Sequence, residues 1–131
     1  MTAENTSPTS TPGLPWLLIV GLSSLALLWP LTSLFGFSGG APRAILLIVI
    51  IAAVWIGVVG FARVPNPVAV LTLTGVGHGV ITLIVSAIVG GATRPIWAYA
   101  MSLGVDAFWG AMAGLVALAI QAMIGRTGAS R

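Results

Sequence analysis

The chain contains no cysteine and no lysine, and holds one histidine and two acidic residues among 131 positions. Without cysteine there is no disulfide, no thiolate metal ligand and no thiol redox chemistry. Without lysine the glycine-rich segments cannot form a P-loop, whose pattern requires that side chain. Charge is the scarcest property of all. Charged residues make up 5% of the chain, whereas a soluble domain carries about a quarter. Such a chain cannot cover a water-facing surface. Disorder, which needs low hydrophobicity and high charge, is excluded as well.

The formal net charge is +3 and the isoelectric point is about 11.4, values usually associated with nucleic-acid binding. The arginines lie far apart, however, at positions 43, 63, 94, 126 and 131. Nucleic-acid recognition needs a clustered basic face, and no nucleic-acid partner is expected. The high isoelectric point reflects the near absence of acids.

What is abundant is apolar. Hydrophobic residues form 58% of the chain and the mean hydropathy is +1.13. Residues 1–13 are polar, rich in Ser, Thr and Pro, and are expected to be a disordered tail. They lack the basic n-region of a secretory leader. Four apolar runs follow, at about 14–35, 44–62, 68–89 and 96–124. The first three have the length of about 20 residues that a bilayer-spanning helix requires. The fourth is longer and must tilt, bend or emerge at one end. Breaks fall at Gly36 to Gly40, at Arg63 to Pro67, and at Gly90 to Pro95. Such short connections force neighbouring helices to run antiparallel. The expected fold is all-α, a four-helix antiparallel transmembrane bundle, with residues 126–131 as a short polar C-terminal tail.

Pro30 should disturb the first helix, because proline removes a backbone donor. Trp16, Trp97 and Tyr99 lie near run ends, as an interfacial aromatic belt requires. Trp55 and Trp109 lie mid-run and are expected to pack between helices. An even number of spans places both termini on one face. Arg63, Arg126 and Arg131 would then oppose Arg43 and Arg94, three against two. That bias favours an N-in, C-in arrangement in the cell membrane, with dual topology the alternative.

Two small-residue stripes stand out. Gly75 and Gly79 form a GxxxG spacing in the third run, continued by Thr82 and Ser86. Gly110 and Gly114 form a second in the fourth run, flanked by Ala107, Ala113 and Ala117. Small residues at this spacing let helix backbones approach closely. They fit packing of the third helix on the fourth within one chain, or dimerisation.

His78, the one histidine, and Asp106, the one acid inside the runs, stand apart chemically. Each lies roughly 15–17 Å from the turn joining the third and fourth runs, near mid-membrane. Ser102 and Thr82 lie one turn from Asp106 and His78. An Asp at a helix centre costs about 2.5–3.5 kcal/mol on insertion scales, so such groups face an interior or a wet cavity. The two form a candidate intramembrane polar pair. One His and one Asp do not make a metal site. Ser86 and Ser102 lack the surroundings of a hydrolytic nucleophile. No enzyme activity, cofactor or metal is expected.

Leu14-Pro15-Trp16-Leu17-Leu18 after the tail, Arg63-Val64-Pro65-Asn66-Pro67-Val68 between spans, and Phe108-Trp109-Gly110-Ala111-Met112-Ala113-Gly114-Leu115 in the last span resemble small four-span membrane proteins of actinobacteria. The resemblance implies the four-span fold and no activity. The expected role is therefore a non-enzymatic structural or accessory membrane protein, packed with itself or another membrane protein. The alternative is a small oligomeric transporter or channel using His78 and Asp106.

Overall fold

The computed structural model describes residues 13–36, 39–90 and 94–129, with side chains to residue 125. The polar tail expected over residues 1–13 lies almost wholly outside them. Four helices long and apolar enough to cross a membrane make up the molecule: α1 Trp16–Leu34, α2 Ala41–Phe61, α3 Pro67–Gly90 and α4, apolar over Ile96–Gly125 and helical to Ala129. Among the described residues there is no strand. This is an all-α, four-helix, multi-pass integral membrane protein. Its outer surface is what hydrocarbon tolerates and water does not: Leu17, Leu34, Ile88, Val89 and Ile96 are all largely exposed.

Helix boundaries follow local chemistry. α2 starts at Ala41, three residues before the expected 44, because Pro42 in the first turn needs no amide partner there. Gly40 caps it at φ 135°, a conformation open to glycine. α1 is interrupted by a 3-10 stretch, Ser24–Leu27. Pro30 offers no N–H to the carbonyl of Ala26, and the turn before it tightens. α4 passes through Gly125, where a break was expected, and continues to Ala129. Its 34 residues span about 51 Å at 1.5 Å each. A hydrocarbon core of about 30 Å cannot contain that length, so the helix tilts or projects.

The turn between α2 and α3 is a Schellman motif. The amide of Val64 donates to Val59 O at 3.3 Å and that of Arg63 to Gly60 O at 3.4 Å. Arg63 occupies the left-handed position at φ 51°, where glycine is usual. Val64 turns into the core. Gln121 Nε2 of α4 donates to Val59 O at 2.9 Å and to Val64 O at 3.0 Å, tying the turn to the last helix.

α3 and α4 form the tightest pairing, and glycine is the reason. A Cβ on Gly110 would strike the carbonyl of Leu71 and lie 3.1 Å from Thr72 Cα. One on Gly114 would lie 2.5 Å from Val68 Cα. One on Gly75 would strike the carbonyl of Asp106. The two stripes therefore face each other within one chain. α1 docks on α3 through Ser23, whose hydroxyl donates to Thr74 O at 3.1 Å. Gly77 makes room for it.

The core is concentrated in one half of the bundle, with Leu47 and Ile51 of α2 buried beyond it. Ile19, Leu22, Trp55, Val59, Val70, Leu71, Ala113 and Ala117 form one buried cluster beside the α2–α3 turn. Val59, Val70, Leu71 and Ala117 are inaccessible. In the other half, α3 beyond Gly79 and α4 before Gly110 contain no buried position.

Candidate functional site

The asymmetry creates a cleft. At the core end α2 and α4 touch: a Cβ on Gly60 would lie 3.5 Å from Ile120 Cγ2 and 3.6 Å from Ala117 Cα. Towards Arg43 and Arg94 the two helices leave between them a cavity of about 920 Å³. Ile48, Ile51 and Trp55 of α2 form one wall, and Val105, Trp109 and Met112 of α4 the other. His78, Thr82 and Ser86 of α3 form the back. A second cavity of about 720 Å³ shares Trp29, Thr82, Ser86, Arg94 and Ser102 and extends to Arg43. Together they form a vestibule that runs from Arg43 and Arg94 to His78 and Asp106 at mid-membrane. Its lining reaches Ala113 and Val116 of α4, next to the inaccessible Ala117.

His78 and Asp106 meet this vestibule at the same level. Asp106 lies against α3 at Gly79, where a Cβ would sit 2.6 Å from its Oδ2. His78 is the residue before Gly79, and both acid and imidazole line the cavity. Depth brings them together, but no hydrogen bond does. His78 Nδ1 is buried without a partner. The imidazole stands edge-on to the indole of Trp55, with centroids 5.6 Å apart and planes at 85°. The Thr82 hydroxyl is used locally, donating to His78 O at 2.9 Å. The polar groups at the floor therefore face a space that the chain does not fill.

Trp55 and Trp109 behave differently. Trp55 is 5% exposed, and its Nε1 donates to Leu22 O at 3.1 Å. Trp109 is 62% exposed and pairs edge-to-face with Phe108. The expectation that Trp109 packs between helices fails. Asp106 and Gly110, one turn apart, already present the face that α3 covers, and Trp109 is rotated off it.

Two contacts escaped the sequence reading. Arg43 folds back over the end of α1: Nη2 donates to Trp29 O and Thr32 Oγ1 at 2.6 Å and to Ser33 Oγ at 2.8 Å. The signal was an arginine a few residues past a helix ending in Thr32 and Ser33, whose terminal carbonyls attract cations. Gln121 was the other. The only glutamine of the chain, inside an apolar run, needs polar partners.

Among the described residues no group of three His, Cys, Asp or Glu could hold a metal ion. No protein-family model matches the sequence, and no curated protein or solved structure is significantly similar to it. The class is therefore defined by fold alone: a small multi-pass α-helical membrane protein.

Proposed function

We propose that this membrane protein is a non-enzymatic, carrier-type solute-binding protein, which admits a small molecule from one face of the cell membrane to a site at His78 and Asp106. One observation carries the reading. His78 and Asp106, which share no hydrogen bond, line one vestibule at mid-membrane, and His78 Nδ1 is buried there without a hydrogen-bond partner. A buried polar group without a partner costs about 1–3 kcal/mol. Intramembrane ionisable residues that face a cavity characteristically mark solute or proton pathways. The sealed core on the other side favours one-sided access over a continuous pore.

Accessibility tests it directly on the cysteine-free background. Single cysteines at Ser86 and Ser102 should react with a membrane-impermeant thiol reagent from one face of proteoliposomes. A cysteine at Thr74, which is inaccessible, should not react. Labelling of Ser86 and Ser102 from neither face would overturn the vestibule and return the protein to a structural or accessory role, its cleft filled by a second copy or another membrane protein. Labelling from both faces would replace it with a pore.

A further inference from the structure

We propose that the cleft takes a lipophilic organic cation, with its charge at Asp106 and its apolar body between α2 and α4. The inference rests on the solute-binding reading above and names the class of solute.

Charge selects the sign. Asp106 is the one acid within the spanning helices; among the described residues it accepts no hydrogen bond, and the ionisable side chain that acts on it is His78. A cation is the complement of a carboxylate held in apolar surroundings. Two arginines lie on the same vestibule, and neither is positioned to neutralise it. Arg43 is engaged by Trp29 O, Thr32 and Ser33. Arg94 precedes the start of α4 at Ile96, which is itself ten residues, or about 15 Å, from Asp106. His78 contributes an unpartnered ring nitrogen beside the acid.

The walls select the body. Ile48, Ile51, Val105 and Met112 are apolar, and the indoles of Trp55 and Trp109 border the same space. Indole rings attract cations through their quadrupoles. Ile48, Val105, Trp109 and Met112 are also exposed on the outer surface, so the cleft opens sideways into hydrocarbon, where lipophilic cations concentrate. A hydrated metal ion would require several oxygen ligands, and the walls have none. An acyl chain would leave both His78 and Asp106 unpartnered. An organic anion would meet the carboxylate. The cavity, about 920 Å³, falls in the range of about 300–1,000 Å³ for small-molecule sites.

The test compares two probes of like shape and opposite charge, tetraphenylphosphonium and tetraphenylborate, on the purified full chain in nanodiscs. Equilibrium dialysis measures binding, and tryptophan fluorescence follows it. The expected result is saturable binding of the phosphonium, weakened at least tenfold in Asp106→Asn and severalfold in Trp109→Ala. Borate binding, if any, should be unchanged by Asp106→Asn. Circular dichroism checks that each variant is folded. Should Asp106→Asn fail to fold, Asp106→Glu keeps the charge and must retain binding, whereas Val105→Trp fills the cleft and must abolish it. Phosphonium binding unaffected by Asp106→Asn or by Val105→Trp, or equal binding of borate, would overturn the proposal. The two readings fail separately. Thiol labelling without cation binding leaves the vestibule and removes this solute class. Cation binding without labelling leaves a site reached only from the bilayer.

Discussion

Arg63 and Gln121 show what single residues contribute at the sealed end. Arg63 adopts φ 51°, a conformation that costs an L-residue with a Cβ about 1–2 kcal/mol. Arg63→Gly should relieve it and stabilise the protein by about 1 kcal/mol, read from unfolding in mixed micelles. A loss of stability would mean that the guanidinium contributes more than the backbone strain removes. Gln121 bridges two carbonyls of the same turn. Gln121→Leu should cost about 1 kcal/mol, since intramembrane hydrogen bonds average about 0.6 and reach about 1.7. A neutral effect would show that the Schellman bonds suffice. At this scale the sequence was only partly legible. His78 and Asp106 announced themselves by being ionisable in apolar runs. Their shared level followed from counting residues back from a turn. That they share a cavity without bonding one another depends on where neighbouring helices stop touching, which no local pattern encodes.

Among the elements, α3 and α4 carry the strongest expectation. Gly110→Ala drives a methyl group into the carbonyl of Leu71. Overpacking of this kind costs about 1–3 kcal/mol. Around Gly57 there is no atom within 4 Å of a Cβ, so Gly57→Ala should be neutral or gain up to about 1 kcal/mol from helix propensity. Thermal unfolding in detergent distinguishes the two, and equal effects would reject the backbone contact. The GxxxG spacings were visible in the sequence because close approach demands a missing side chain. Helix ends were less so. The fourth apolar run ends at about 124, before Gly125, yet glycine is tolerated inside long apolar helices, and α4 runs on to Ala129. Pro42 hid the true start of α2, since proline is at home in a first turn.

For the whole molecule, length and hydropathy decided the architecture, because only about 20 apolar residues cross a bilayer and closed hydrogen bonding there demands helices. Four antiparallel spans require both termini on one face. Cysteines introduced at Ser7 and Ser130 should label from the same side of sealed vesicles, the cytoplasmic one if the arginine bias governs insertion. Labelling from opposite sides would reject the even span count, and labelling of each from both would establish dual topology. The division into a packed half and a cleft half was invisible in composition. The same four apolar helices run through both halves, and the close contacts come where glycine and alanine meet at the crossing.

That division has a mechanical consequence. Where Gly60 meets Ala117 and Gln121 holds the turn, α2 and α4 share a fulcrum near one membrane surface. From Gly60 to Ala41, the arm of α2 measures about 28 Å at 1.5 Å per residue, and it carries with it the end of α1 that Arg43 holds. A rocking of only about 5° at the pivot carries the far end of that arm through about 2.5 Å, nearly the width of a water molecule. Side chains at the fulcrum hardly shift during such a stroke. The bundle would thus work as a lever on a tightly packed bearing at Gly60, and widening its mouth would also move Ile51 and Trp55 of the core.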